Sequence, residues 1–293
     1  MAKNPSDSPK KNRSYGYEVW RMLRRNKGAM VGMVITIILV VVSLTVDLYL
    51  DYDTQIVAQH ATERLQWPSA KHIFGTDNLG RDIFFRVVYG SKYSLLIGFS
   101  STLISVVFGV ILGSISGYFG GKIDNIIMRT CDVIGAIPGF LLGMMIVSAL
   151  GPNLVNLAIA LGISGITYTT RVTRASVLTV AGSEYVESAR AIGMPEWKII
   201  LTYILPNGFS PIIVATTLRV GSNIISASSL SFLGLGAQQP MPEWGAMLSA
   251  GRNYVLEKPY ITLFPGLAIM ITVLALNMFG DGLRDAMDPK LRR

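Results

Sequence analysis

Apolar residues in this chain form long blocks separated by short polar segments, and they do not alternate with polar residues along most of its length. A helix needs about 20 apolar residues to cross the roughly 30 Å hydrocarbon layer of a bilayer. Several blocks approach or reach that length, so they predict membrane-spanning helices. The pattern predicts an all-α integral membrane protein with six transmembrane helices, at residues 29–50, 94–119, 133–150, 154–170, 208–235 and 261–280.

Composition agrees with a membrane protein, since mean hydropathy is +0.46 and 15% of residues are charged. With six crossings, the side that holds both termini carries 18 Lys and Arg residues, against seven on the other side. Basic residues gather on the cytoplasmic side of spans, so we expect both termini to be cytoplasmic. The chain is therefore predicted to begin with a cytoplasmic segment at 1–28, a first span at 29–50 and an external loop at 51–93. A five-helix core follows at 94–283, and it includes a cytoplasmic loop at 171–206 and an external loop at 236–260. A cytoplasmic tail at 284–293 ends the chain.

Residues for catalysis, metal binding or nucleotide binding are scarce. His60, His72 and Cys131 lie in no motif with metal-ligand spacing, and we interpret both histidines as polar loop residues. The segment FGGK at 119–122 fails as a phosphate-binding loop, because Ser116 occupies the position of the first glycine. We therefore expect no catalytic residue, no metal and no cofactor in this chain. The membrane accounts for its net charge of +8 more simply than nucleic acid does.

Glycines recur every four residues along the second predicted span, at Gly109, Gly113 and Gly117, and the register continues to Gly121. This spacing places them on one helix face, where small residues let membrane helices approach closely. The stripe predicts a tight helix seam, either within the subunit or against a partner subunit. The alternative is the ordinary glycine richness of membrane helices.

A polar, charged stretch at 183–207 interrupts the apolar blocks. Ser183 is a candidate helix cap, Gly193 is suited to ending that helix, and Pro195 suits the first turn of a second helix, which Leu205-Pro206 would close. The stretch predicts a helix-turn-helix at the cytoplasmic surface. A helix lying on lipid usually presents Lys and Arg, whereas this stretch begins with two Glu residues, which favours docking of another protein.

Several motifs resemble one transporter family. The segment ESARAIG at 187–193, followed by Leu205-Pro206, resembles the EAA signature of ABC importer permeases, with Ser188 in place of the middle alanine. The segments FGTDNLGRD at 74–82, LSFLGLG at 230–236 and PEWGAM at 242–247 resemble signatures of the dipeptide, oligopeptide and nickel importer group, and of its "C"-type permease. The resemblance covers nearly the whole chain after Trp20.

The resemblance implies a type I importer permease in the plasma membrane of a bacterium or archaeon. It implies a second homologous permease, an external solute-binding protein, and two ATP-binding subunits that hold ATP and Mg²⁺ and dock on the cytoplasmic loop. Membrane lipid is the remaining partner, and no nucleic acid is expected. The expected ATPase-coupling residues are Glu184, Glu187, Ala189, Arg190, Gly193 and Pro206.

Polar residues inside the spans are candidates for the translocation pathway. Arg219 lies about 18 Å into the fifth span, where it either contacts a substrate carboxylate or a pathway partner, or pairs with a carboxylate of a neighbouring helix or subunit. Asn223 and Ser226 either line an aqueous passage or form interhelical hydrogen bonds. Pro138 predicts a break in the third span, as a moving gate or a static kink. Ala227 stands where related permeases often carry an acid.

The sequence leaves the role of one charge cluster and two rival functions open. The charged residues Asp124, Arg129 and Asp132 form either a local network or a docking site. An ion-gradient-driven transporter would need a buried acid, for which Asp47 is the clear candidate. A membrane scaffold without transport is the second rival function. The substrate stays open among peptides, nickel or a metal chelate, and glutathione-like compounds.

Overall fold

The structure, a computed structural model, describes residues 15–288, and within that range it is built from helices and loops without β-strands. This confirms the all-α prediction. The α-helices are α1 (Tyr15–Arg25), α2 (Lys27–Thr45), α3 (Ile83–Phe119), α4 (Gly121–Gly135), α5 (Gly139–Leu150), α6 (Leu154–Ala181), α7 (Glu184–Ala191), α8 (Glu196–Ile199), α9 (Leu205–Phe232), α10 (Trp244–Gly251) and α11 (Tyr260–Met287).

Four segments in the described part of the chain are long and apolar enough to cross a bilayer. They are α2 with the turn that follows it, α3, the continuous α8–α9 segment, and α11, and the bent pair α4–α5 is a fifth candidate. Helix α6 has 28 residues and so extends about 42 Å. The count of six crossings therefore stays a prediction that is compatible with these lengths.

The third predicted span, at 133–150, is broken into two helices. Helices α4 and α5 meet at 82°, with Ala136, Ile137 and Pro138 between them. Proline disfavours helical geometry at the residue before it, and Pro138 itself has an extended ψ of 129°. The break at Pro138 is confirmed, and it leaves α5 with 12 residues, about 18 Å, which is shorter than the hydrocarbon layer.

Other helices extend past their predicted bounds. Helix α3 begins at Ile83 because the Asp82 carboxylate accepts hydrogen bonds from the Phe84 and Phe85 amides, at 2.8 and 3.2 Å. Helix α6 continues to Ala181, into the predicted cytoplasmic loop. Helix α11 continues to Met287, so the predicted tail begins inside a helix. Apolar blocks indicate the lipid-facing length of a helix and miss its polar ends.

Helices α3 and α6 pack in parallel along the glycine stripe. A Cβ added to Gly109 would lie 2.5 Å from the Thr169 Cβ, and one added to Gly113 would lie 2.6 Å from the Thr170 carbonyl oxygen. Gly117 approaches Val177 in the same way, at 2.9 Å. Such distances are too short for any larger residue, so the seam lies within the subunit. Gly121 is not part of it, since it begins α4 in open space.

The described termini lie at the same end of the helix bundle. Leu23 of α1 and Ala29 of α2 pack with Ala286 near the end of α11. We call this the terminal end, and it also holds the end of α6 and the beginning of α9. The other end, which we call the loop end, holds the loops at 51–82 and 233–259.

We expect Gly113→Ala to lower the free energy of unfolding by about 1–3 kcal/mol, because the new methyl group would overlap the Thr170 carbonyl in a closed seam. Thermal unfolding of the purified protein in detergent measures this. Gly182→Ala is the matched control, since nothing lies within 4 Å of a Cβ at Gly182. Equal unfolding temperatures for the two variants would contradict the proposed closeness of the seam.

Candidate functional site

The polar stretch at the terminal end folds as a hairpin of two short helices. We call residues 184–204 the surface hairpin, which comprises α7, a turn at Gly193, α8 and a π-helical turn, Ile200–Ile204. Gly193 has φ +77° and no neighbour within 4 Å of a Cβ position, so backbone conformation is what requires glycine there. The Met194 amide donates to the Ala189 carbonyl at 3.2 Å and closes the helix end. The predicted helix-turn-helix is confirmed.

Two local predictions about the hairpin are wrong. The Ser183 hydroxyl donates back to the Val180 carbonyl and does not cap α7. Leu205-Pro206 does not end the second helix, because the π-helical turn joins α8 directly to α9 and Pro206 falls in the first turn of α9. The hairpin's second arm is therefore continuous with a long membrane helix.

The inner face of the hairpin is apolar and packs on α6. Val186 and Ala189 of α7 meet Ile199 of α8 in one cluster, together with Val177 and Val180 of α6. Ala189 is only 5% exposed. Its small side chain therefore lets α7 lie close to the rest of the subunit, and it is not presented to a docking protein.

The outer face of the hairpin is open. Glu184, Glu187 and the Gly193 turn are exposed, and so are two large apolar side chains, Ile192 at 77% and Trp197 at 64%. Large apolar side chains that are exposed together with charged ones mark a surface that contacts either another protein or the membrane.

Arg190 connects the hairpin to the end of α3. Its guanidinium lies 5.1 Å from the centre of the Tyr118 ring, and its Nε is 4.0 Å from a Glu196 carboxylate oxygen. The Tyr118 hydroxyl donates to the same carboxylate. Arg190, expected to be a docking residue, thus has partners within the subunit that connect α7, α8 and α3.

Charged residues of α4 form a local network with α6. Arg174 donates to both carboxylate oxygens of Asp124, at 2.6 Å each, and the Ser116 hydroxyl donates to Asp124 as well. Asp132 accepts from Arg171 at 2.9 Å and lies 4.0 Å from Arg129. The local-network interpretation is confirmed, with α6 supplying the strongest partners.

Polar residues of α9 divide between two faces. Arg219, Ser222, Ser226 and Ser229, which we call the polar stripe, share one face at intervals of three and four residues and are exposed or half-buried. Asn223 lies outside the stripe, because it is 3% exposed and donates to the Thr102 hydroxyl of α3 at 2.9 Å.

The remaining predicted pathway positions, Ala227 and Pro138, have different surroundings. Ala227 belongs to an apolar cluster with Leu161 of α6, so a methyl group fits where a carboxylate would be buried without a partner. Pro138 is exposed at the α4–α5 break. Two residues further on, Phe140 lines a cavity of about 460 Å³ together with Ser229 of the polar stripe. The start of α5 therefore lies beside the stripe.

At the loop end, the FGTDNLGRD segment contributes to a buried ion cluster of Asp77, Arg81 and Arg86. The Asp77 carboxylate accepts from the Arg81 Nε at 2.7 Å and lies 3.7 Å from the Arg86 Nε. Arg86 also donates to the carbonyls of Ile56, at 2.7 Å, and Pro240, at 3.3 Å. The cluster therefore joins the loops at 51–82 and 233–259.

The PEWGAM segment completes this junction. Glu243 is fully buried and accepts from the Gly245 and Ala246 amides at 3.0 and 2.9 Å, which begins α10. Burial raises the pKa of the Glu243 carboxyl, while those amide donors act in the opposite direction. The Trp244 indole donates to the Val87 carbonyl of α3 at 2.9 Å.

Comparison with known proteins decides the family. Residues 109–293 match the family described as binding-protein-dependent transport system inner membrane component, and residues 14–68 match the N-terminal transmembrane domain of oligopeptide transport permease C. The chain belongs to this family of importer permeases. It is a non-catalytic membrane subunit, and family membership argues against the gradient-driven and scaffold alternatives.

Relatives resemble the permease over almost its full length. The dipeptide transport system permease protein DppC of Alkalihalophilus pseudofirmus is 43% identical, covering 100% of this chain and 97% of the relative. The glutathione transport system permease protein GsiD of Pectobacterium atrosepticum is 42% identical, covering 94% and 91%. Among solved structures, the permease is similar to one titled "Inward facing conformations of the MetNI methionine ABC transporter", with a TM-score of 0.58 and 17% identity. The match covers 70% of this permease and 98% of the chain in that structure, and it supports the fold alone.

The loop motifs of the permease are recognisable in the sequence, but resemblance alone indicates no role for their charged residues. Arg81 and Arg86 lie in or next to FGTDNLGRD, and Glu243 lies in PEWGAM. Asp77, Arg81 and Arg86 lie within ten residues of one another, shortly before an apolar block. This pattern could have indicated a buried ion cluster. The partner loop is about 150 residues away in sequence, so spacing could not have revealed it.

We expect Asp77→Asn to lower the free energy of unfolding of the permease by about 3 kcal/mol, since two buried arginines would lose their carboxylate. The unfolding temperature in detergent is the readout. Asp53→Asn removes the same charge from an exposed position of the same loop and serves as the control. A shift of the same size in both variants would argue against the cluster.

Proposed function

We propose that this permease forms half of the translocation passage of an ATP-driven importer for dipeptides or closely related small peptides. A second homologous permease would form the other half. The observation that carries the proposal is the surface hairpin, whose outer face is exposed and which is connected to α3, α6 and α9. The substrate class is supported by relatives named for dipeptide and glutathione transport, since glutathione is itself a small peptide.

The proposed orientation places the terminal end in the cytoplasm of a bacterium or archaeon and the loop end outside, with six crossings. The distribution of Lys and Arg supports this orientation. Helix α1 also supports it, because Arg21, Arg24 and Arg25 accompany an exposed Trp20. That combination suits contact with anionic lipid headgroups at a cytoplasmic membrane surface.

ATP-binding subunits, which would hold ATP and Mg²⁺, dock on the surface hairpin in this proposal. Glu184, Glu187 and the Gly193 turn are available for contact. Ala189 and Arg190 act indirectly, by holding α7 against α6 and α3, and Pro206 lies where the hairpin continues into α9. Motion imposed on the hairpin would therefore reach the membrane helices through packed side chains and one continuous helix.

The external solute-binding protein docks on the loop end. The buried ion cluster and Glu243 join the two loops there, so the binding protein would meet one preformed surface. The second permease would cover the polar stripe of α9 and the exposed side of α5, enclosing a passage between the two subunits. The break at Pro138 would allow α5 to move as that passage opens and closes.

Reconstitution tests the proposal. Proteoliposomes that contain both permeases and both ATP-binding subunits should accumulate a radiolabelled dipeptide when the binding protein and ATP are supplied on their respective sides. Uptake should stop without ATP and should persist after ionophores collapse the ion gradients. Uptake that persists without ATP and stops with the ionophores would overturn the proposal.

We expect Glu187→Lys to reduce ATP-driven uptake about tenfold, because charge reversal on a docking face costs of the order of 1.4 kcal/mol or more. Gly193→Val should have a similar effect by straining the turn. The amount of each variant in the membrane should be unchanged. Uptake and co-purification of the ATP-binding subunits are the measurements.

Asp285→Lys is the matched control, since it reverses an exposed charge at the same end of the bundle outside the hairpin. It should leave uptake close to the unmodified level. Normal uptake and normal ATPase co-purification in both hairpin variants would contradict the docking role.

A further inference from the structure

Arg219 places a permanent positive charge deep within α9. It is the fifteenth of 28 residues in that helix, so about 20 Å of helix separates it from either end. A charge at such depth is costly unless water, an anion or another protein group compensates for it. The surroundings of this guanidinium therefore indicate what it is there to bind.

Within residues 15–288, the surroundings offer little compensation. The Arg219 Nε is buried without a hydrogen-bond partner, and no carboxylate of these residues lies within 4 Å of the guanidinium. The guanidinium lies 5.4 Å from the centre of the Tyr168 ring, which provides a partial, cation–π compensation. Gly165 leaves room for it, because a Cβ there would lie 3.1 Å from the Arg219 Nη2.

The position of Arg219 connects two features that a moving solute would encounter. Ser222, Ser226 and Ser229 continue the polar stripe from Arg219 towards the loop end. Towards the terminal end, Tyr168 and Leu218 line a groove of about 590 Å³ between α6, α9 and α11. Arg219 lies on the Tyr168 ring, so it is situated where the stripe and the groove meet.

We infer that Arg219 binds a carboxylate of the transported solute midway across the membrane, and so selects solutes that carry a free carboxylate. The inference rests on the proposed function and makes its substrate class more specific. A guanidinium donates two parallel hydrogen bonds to a carboxylate and holds it more tightly than an amide of the same shape. A dipeptide supplies such a group at its C-terminus, and the stripe serines supply hydroxyl groups for the rest of its backbone.

The test measures solute binding to the complex of two permeases and two ATP-binding subunits in detergent, without the binding protein. Saturation-transfer NMR titrations compare alanyl-phenylalanine with its C-terminal amide. We expect the unmodified complex to bind the free acid about tenfold more tightly than the amide, and Arg219→Met to abolish that preference. Arg219→Lys, which keeps the charge without the paired donors, should fall between them.

Arg129→Gln is the matched control, since its side chain is 85% exposed and its loss removes one positive charge from α4, outside the stripe. It should leave the preference for the free acid intact. The inference is overturned by an unchanged preference in Arg219→Met, or by equal or undetectable binding of both solutes in the unmodified complex. Loss of the second permease from purified Arg219→Met would also overturn it, because Arg219 would then pair with a partner carboxylate.

ATP-driven uptake of alanyl-phenylalanine, measured on the same preparation with the binding protein added, separates two kinds of failure. If the unmodified importer takes up the dipeptide and Arg219→Met keeps the preference for the acid, the inference about Arg219 fails alone. If the unmodified importer takes up no dipeptide, the proposed function fails.

Discussion

The bilayer core contains no water to satisfy polar groups, and this constraint explains most of the permease's internal packing. Many hydroxyl groups in the spans donate to carbonyls of their own helix, as Ser101 does to Ile97 at 2.7 Å and Ser105 does to Ser101 at 2.8 Å, whereas the buried hydroxyls of Thr170 and Thr173 have no hydrogen-bond partner within residues 15–288. Hydroxyls satisfied in this way add little bulk. Together with glycine, they let α3 and α6 approach until the backbone of one helix contacts side chains of the other. The other elements of the subunit pack around that seam.

The surface hairpin is attached to both helices of the α3–α6 seam. The surface hairpin packs its apolar face on α6, and Arg190 and Glu196 connect it to Tyr118 at the end of α3. The π-helical turn then continues α8 into α9 without a loop. A partner that pushes on the hairpin therefore acts on three membrane helices together, which suits a subunit whose proposed role is to transmit motion.

Sequence patterns predicted the parts of this permease that depend on local chemistry. Apolar blocks indicated the long apolar helices α2, α3, α9 and α11, and Gly193 was correctly identified as a turn because its backbone conformation requires glycine. Patterns could not show that Ala189 faces α6. They also could not show that Asn223 donates to Thr102, whereas the Nε of Arg219 has no hydrogen-bond partner in the described part of the chain. Helical spacing tells which residues share a face, but only packing decides what that face meets. The contact of the buried ion cluster with the loop at 233–259 was missed because the two loops are distant in sequence.

The two ends of the permease and its middle satisfy their polar groups differently. At the loop end, Asp77 and Glu243 are enclosed by donors, and at the terminal end Asp124 is held by Arg174. Midway, Arg219 has an aromatic ring and no carboxylate among the described residues. Groups that only support the fold gain by having permanent partners. A group that must bind and release a solute in each cycle needs a partner that leaves, and so cannot keep one of its own.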